Sequence, residues 1–199
     1  MGKGRLEAFS DGVLAIIITI MVLELRPPHG SSFADLRPLL PVFLGYLLSF
    51  IYVGIYWNNH HHLLQAANHT NGRVLWANLH LLFWLSLVPF TTAWMGEHPG
   101  ARGPVIVYGV VLLGAGAAYN LLSHTLVHAA GRASTLARAI GRDGKGVLSL
   151  VLYMAAVGAA FLNTWISISI YAAVAAIWVV PDARIERKLA GDEEAHPRA

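Results

Sequence analysis

The sequence predicts an all-α membrane protein with six transmembrane helices per subunit, and three observations predict it. Of 199 residues, 56% are hydrophobic and only 13% are charged, against about 25% charged in an ordinary soluble domain. The mean hydropathy is +0.55, more apolar surface than one soluble core of this length could hide, so lipid must solvate the excess. The apolar residues also gather into runs that match a span of about 20 residues, with a working range of about 17–25.

The first run, Leu6 to Leu25, is stopped by Arg26-Pro27-Pro28. Lys3 and Arg5 ahead of it imitate a signal peptide. Asp11 near its start, Glu24 near its end and the lack of a small-residue cleavage pattern mark it instead as a retained helix. The second run extends from about Leu39 to Leu64, its apolar part closing at Trp57 before Asn58, Asn59 and three histidines. The third covers Val74 to Trp94. The fourth, Pro104 to Val127, is rich in glycine and alanine and so suited to close helix packing. From Gly146 to about Val180 the chain is apolar for too long to be one span; Asn163-Thr164 divides it into a hairpin of two short helices. The runs show no Gly- or Pro-broken span of the kind that transporter sites use, and no duplicated half. The predicted organisation is therefore a six-helix membrane domain over 1–181 and a polar tail over 182–199, a short helix followed by disorder.

Charge fixes a topology. With six spans and both termini on one side, that side holds 11 of the 14 basic residues; Arg26, Arg37 and Arg102 are on the other. The positive-inside rule then makes both termini cytoplasmic. The net charge of +3 is accounted for in this way, without nucleic acid as a partner. There is no cysteine, which removes disulfides and thiolate metal sites. No G-x-S-x-G elbow and no Gly-rich phosphate loop occur, so the chain is not read as an enzyme. Trp57, Trp76, Trp84, Trp94, Trp165 and Trp178 fall mostly near span ends, as interface anchors do.

The first helix is the informative one. At about 100° per residue, and with Ile16 as zero, Gly12 falls near about −40°, Thr19 near about −60°, Ile20 near about +40° and Leu23 near about −20°. These residues form a stripe of branched apolar groups with one hydroxyl. From spacing alone such a stripe reads first as lipid contact or helix packing, and as the sharper alternative a pore wall with Ile16 and Leu23 as narrow rings. Ser10 and Asp11 fall on the opposite side. A carboxylate within a span is by default a functional hypothesis; Asp11 reads either as a structural anchor or as an ion site. Its candidate partners are Arg5, Asn58, Asn59, His60, His61, Asn78 and His80. The histidines His60, His61, His62, His80, His124 and His128 invite a metal reading, but no HExxH pattern or carboxylate ligand accompanies them, and buried hydrogen bonding accounts for them better. A Thr-Val-Gly-Tyr-Gly filter is absent, and with it a pore-loop potassium channel.

Arg5-Leu6-Glu7-Ala8-Phe9-Ser10-Asp11 matches the R-x-x-x-F-S-D signature of the lysosomal potassium channel family of transmembrane protein 175 and its prokaryotic relatives. Tyr56-Trp57-Asn58-Asn59-His60-His61 is similar to the end of that family's second helix. Asn78 to Glu97 resembles its third helix, and Pro181 to Glu186 resembles its C-terminal ending. The resemblance implies a cation channel without a pore loop, lined by the first helices of the assembled subunits. Animal members carry two six-helix repeats and form dimers, so a chain with one repeat is expected to form a homotetramer. By motif alignment, Ile16 and Leu23 take the narrow apolar constrictions, and Gly12, Thr19 and Ile20 line the pore between and beside them. Phe9, Ser10 and Asp11, with Arg5, Trp57, Asn58 and His61, would hold the helix. Potassium is the implied permeant ion, with no cofactor and no metal; one hydroxyl on the stripe implies modest selectivity. The competing readings are a secondary transporter using Asp11 as a proton or cation site, a histidine metalloenzyme, and an assembly partner without transport.

Overall fold

A computed structural model describes residues 2–67, 70–130 and 144–179. The C-terminal tail (182–199) and most of the basic residues that set the predicted topology lie outside the described residues. All regular elements described are helical. Helix α1 spans Lys3–Leu23, and a short 3-10 helix, Phe33–Leu39, leads into α2, Leu40–Gln65. Helix α3 has two parts, α3a (Gly72–Ser86) and α3b (Val88–Glu97). Then follow α4, Arg102–Ala130, α5, Gly144–Ala159, and α6, Thr164–Val179. Among the described residues, four spans are long and apolar enough to cross a bilayer: α1, the 3-10 helix with α2, α3 and α4. Helices α5 and α6 are shorter apolar helices of 16 residues each, divided where Asn163-Thr164 predicts. The chain is an integral membrane protein.

Hydrogen bonds between neighbouring ends fix the alternation of the helices. Lys3 Nζ donates to the Gln65 carbonyl, 2.9 Å away, so the start of α1 lies beside the end of α2, where a cation suits the C-terminal helix dipole. At the opposite end, Thr164 Oγ1 donates to the Gly100 carbonyl (2.9 Å) and Arg102 Nη2 to the Phe161 carbonyl (3.3 Å). The α3–α4 turn and the α5–α6 turn therefore share one end. Gly100 has φ +74° there, the left-handed region that glycine adopts without strain, and packs against the Trp165 ring.

Helix α3 is broken, against the expectation of unbroken spans. Pro89 has no N–H to offer the Leu85 carbonyl and its ring crowds that carbonyl, so the helix restarts after Leu87. The Leu87 N–H at the break points to the Trp84 and Leu85 carbonyls, and hydroxyls add bonds to other carbonyls nearby. Ser86 Oγ donates to the Phe83 carbonyl (2.7 Å), Thr91 Oγ1 to those of Leu87 and Val88 (3.3 and 3.1 Å), and Thr92 Oγ1 to that of Val88 (2.7 Å).

Helix α4 runs through the middle of the bundle, packed on α3, α5 and α6. Its small residues allow this: Ala115 and Ala118 are fully buried, and side chains at Gly109 and Gly114 would overlap Tyr171 with Val157, and the Trp84 ring. Buried hydroxyls tie the layers together. Ser49 Oγ lies 2.6 Å from Thr92 Oγ1 and 3.0 Å from the Tyr108 hydroxyl, joining α2, α3b and α4. The Tyr52 hydroxyl donates to the Tyr171 carbonyl (2.6 Å), and the Tyr171 hydroxyl to the Val105 carbonyl (3.1 Å), which draws α6 onto α2 and α4. Overpacking a core costs about 1–3 kcal/mol, so Gly114→Val should lower the thermal unfolding midpoint of the detergent-solubilised protein by several degrees. Gly54→Ala, with no atom within 4 Å of the added carbon, should leave the midpoint unchanged or raise it.

Candidate pore face of the first helix

Helix α1 has two faces with different tasks. Leu6, Ser10, Leu14, Ile17 and Met21 are buried against α2 and both halves of α3. The stripe that the helical repeat defines is uncovered by the chain's own helices: Ile16 is 57% exposed, Ile20 44% and Leu23 79%. Gly12 and Thr19 are exposed on the same face, and nothing lies within 4 Å of a carbon added at Gly12. Thr19 Oγ1 donates back to the carbonyls of Ala15 (2.9 Å) and Ile16 (2.8 Å). Its hydrogen is thus spent on the helix, and its lone pairs remain for whatever occupies the stripe's side.

The other sides of α1 are held by polar groups near its N-terminal end. Toward α2, Trp57 Nε1 donates to Asp11 Oδ1 at 3.0 Å, and His61 Nδ1 lies 3.2 Å from Glu7 Oε1. Both pairs are one turn apart on their own helices, 7 with 11 and 57 with 61, so two antiparallel helices meet rung by rung. The Trp57 and His61 rings stack with centroids 6.2 Å apart, closing the ladder.

Toward α3, a relay of one direction runs through three fully buried side chains. Ser10 Oγ donates to the Leu6 carbonyl (2.9 Å) and therefore accepts from Asn78 Nδ2 (2.9 Å). That turns Asn78 Oδ1 toward His60 Nε2, 2.7 Å away, which must carry the proton. His60 Nδ1 is then a buried lone pair without a partner.

Among the expected anchors, Ser10, Asp11, Trp57 and His61 come together in this way. Phe9 is half exposed, and Arg5 is exposed without a side-chain partner among the described residues. The helical repeat explains both: they fall within about 20° of Ile16, on the uncovered stripe. Asn58 is exposed too, one residue off the edge of α2 that Trp57 and His61 share. Asn59 bonds the Ile55 carbonyl (2.8 Å), and His80 accepts from Trp84 Nε1 (3.0 Å), so neither is a partner of Asp11. Among the described residues no three His, Asp or Glu side chains converge as a metal site would need. Glu7 and Lys3 escaped the sequence reading. The signal for Glu7 was its spacing of four from Asp11, matched by the spacing of four between Trp57 and His61.

Comparison with known proteins places this geometry in context. Residues 5–89 match the family model of the endosomal/lysosomal potassium channel TMEM175. The chain is 54% identical over 189 residues to a potassium channel of Chryseobacterium sp. (strain P1-3), covering 95% of this chain and 98% of that protein. It is 32% identical over 182 residues to a potassium channel of Chamaesiphon minutus, covering 84% of this chain and 88% of that one. A crystal structure of a lysosomal potassium-selective channel TMEM175 homologue from Chamaesiphon minutus matches with a TM-score of 0.78 and 32% identity, over 89% of this chain and 96% of that chain.

A buried donor or acceptor stripped of its partner costs about 1–3 kcal/mol. Asn78→Leu strands the buried His60 Nε2–H, while Ser10 keeps its bond to Leu6, so it should cost about 1–3 kcal/mol by that rule, whereas Asn58→Leu should cost almost nothing. Denaturation of the two variants in detergent checks this, and equal losses would contradict the relay.

Proposed function

The chain belongs to the family of the endosomal/lysosomal potassium channel TMEM175, and from that premise we propose that it is a potassium-permeable cation channel lined by α1. The observation that carries the reading is the uncovered stripe of α1, which lies away from the ladder and relay that fix the helix. One chain has a single such stripe and cannot enclose a path. A homotetramer with four copies of α1 around one axis, and no cofactor, would enclose it.

In that arrangement Ile16 and Leu23 form two apolar rings. A narrow apolar ring excludes water and so bars ions until it widens. Between the rings, the four Thr19 oxygens offer lone pairs in place of part of a cation's hydration shell. Potassium, whose shell is held less tightly than that of sodium, loses less there, and the preference is modest because one hydroxyl layer replaces few waters. Gly12 and Ile20 complete the wall. Glu24, exposed just beyond the end of α1, sits at the mouth and can concentrate cations. With both termini cytoplasmic, that mouth is the outer one. Asp11 fits the transporter reading poorly: its carboxylate is bound by Trp57 and lies about 140° around the helix from Ile16.

The test is single-channel recording of the purified protein in planar bilayers, with potassium and sodium on opposite sides, for wild type and Ile16→Asn. Discrete openings, a reversal potential favouring potassium and a larger or leakier current in the variant are the expected result. Silence in both, with slow saturable uptake into liposomes, would overturn the channel and promote Asp11 as a transport site.

A further inference from the structure

On the outside of the bundle, far from the ladder that holds α1, a groove of about 820 Å³ opens between α3a and α4. It lies at the end of the bundle where α3a begins and α4 finishes, the end that also carries Lys3. Its floor and sides include Asn71, Arg73, Trp76, His80, Leu121 and Thr125, and no acidic residue lines it among the described residues. Arg73, Trp76 and His80 follow one another at intervals of three and four, so they share one face of α3a.

The polar groups of this groove are nearly all donors with capacity left. Arg73 is exposed and has no ion-pair or hydrogen-bond partner among the described residues. His80 Nε2 is occupied as acceptor for Trp84 Nε1, so a neutral ring carries its proton on Nδ1 and can donate it outward. Asn71 Oδ1 accepts from the Val74 backbone N–H (3.0 Å), which leaves its Nδ2 free. Trp76 is 75% exposed and its indole N–H makes no bond among the described residues. The hydroxyl of Thr125 is spent on the Leu121 carbonyl (2.7 Å). A fixed cation among unspent donors, with no competing carboxylate among the described residues, is complementary to an anion with several oxygens.

The surroundings choose between a free anion and a lipid. Deeper along the same faces the surface is apolar and exposed: Leu79, Phe83 and Leu121 are between 42% and 56% exposed. An inorganic anion has no use for that wall, whereas acyl chains fit it. Trp76 at the polar rim marks the level of the headgroups. We propose that this groove binds an anionic phospholipid of the leaflet at the basic end of the protein, its phosphate on Arg73, Trp76 and His80 and its chains along Leu79, Phe83 and Leu121. Basic pockets between transmembrane helices bind anionic headgroups in just this way.

Native mass spectrometry of the full chain in detergent tests the site without reference to conductance. Wild type, Arg73→Gln and Leu121→Trp are titrated with phosphatidylglycerol or phosphatidylcholine. Phosphatidylglycerol should be retained several-fold better than phosphatidylcholine by the wild type. Arg73→Gln should lose about fivefold, the share of one basic residue near a charged surface, and Leu121→Trp should lose a similar amount by filling the groove. Both positions are exposed, and gel filtration checks whether each variant keeps the assembly of the wild type. Equal retention of the two lipids, or unchanged retention in both variants, would overturn the proposal. Displacement of the lipid by millimolar inorganic phosphate would assign the groove to a soluble anion instead. Loss of assembly in both variants would assign it to a second copy of the chain.

Discussion

The structure depends on a set of polar contacts that fasten α1 to its neighbours at one end. Polar contacts between helices are scarce in a bilayer, where lipid tails compete with apolar side chains on equal terms and greasy contact gives little orientation. The Asp11–Trp57 and Glu7–His61 rungs, with the Ser10–Asn78–His60 relay, are directional. Together they fix both the rotation of α1 about its axis and its height against α2 and α3. Ile16, Thr19 and Leu23 face away from the subunit because Ser10 faces Asn78.

The remainder of the bundle follows the same logic with weaker groups. Glycine and alanine on α4 bring it close to α3 and α6, and single hydroxyls cross each layer. The proline break in α3 shows how the balance is kept. Where Pro89 removes a backbone donor, Ser86, Thr91 and Thr92 add hydroxyl bonds to carbonyls on either side of the break. A break of this kind inside packed protein is a packing feature.

The family membership and the geometry bear on different questions. Membership supports the class of activity. The geometry supports the division of α1 into a fastened face and an uncovered one, and it separates Asp11 from the stripe on which an ion would travel. A carboxylate within a span is costly unless it is bound; here an indole N–H binds it at the interfacial end of a helix.

The sequence by itself determined the class of protein, the six helices and which residues of α1 share one stripe; that the stripe is uncovered came from the structure. Hydropathy needs only run length, and a helical repeat of 3.6 residues fixes angular positions without knowledge of any neighbour. The same arithmetic, applied to Arg5 and Phe9, would have put them on the stripe; motif resemblance placed them among the anchors instead. Only the tertiary structure decided which polar group meets which. None of the seven polar partners weighed for Asp11 bonds it; the Trp57 indole does, a residue that only the resemblance had grouped with it, because partner choice depends on the register between helices, and register arises from packing along their whole length. The break at Pro89 was equally beyond reach from hydropathy, which counts apolar residues and is blind to whether each carbonyl finds a donor.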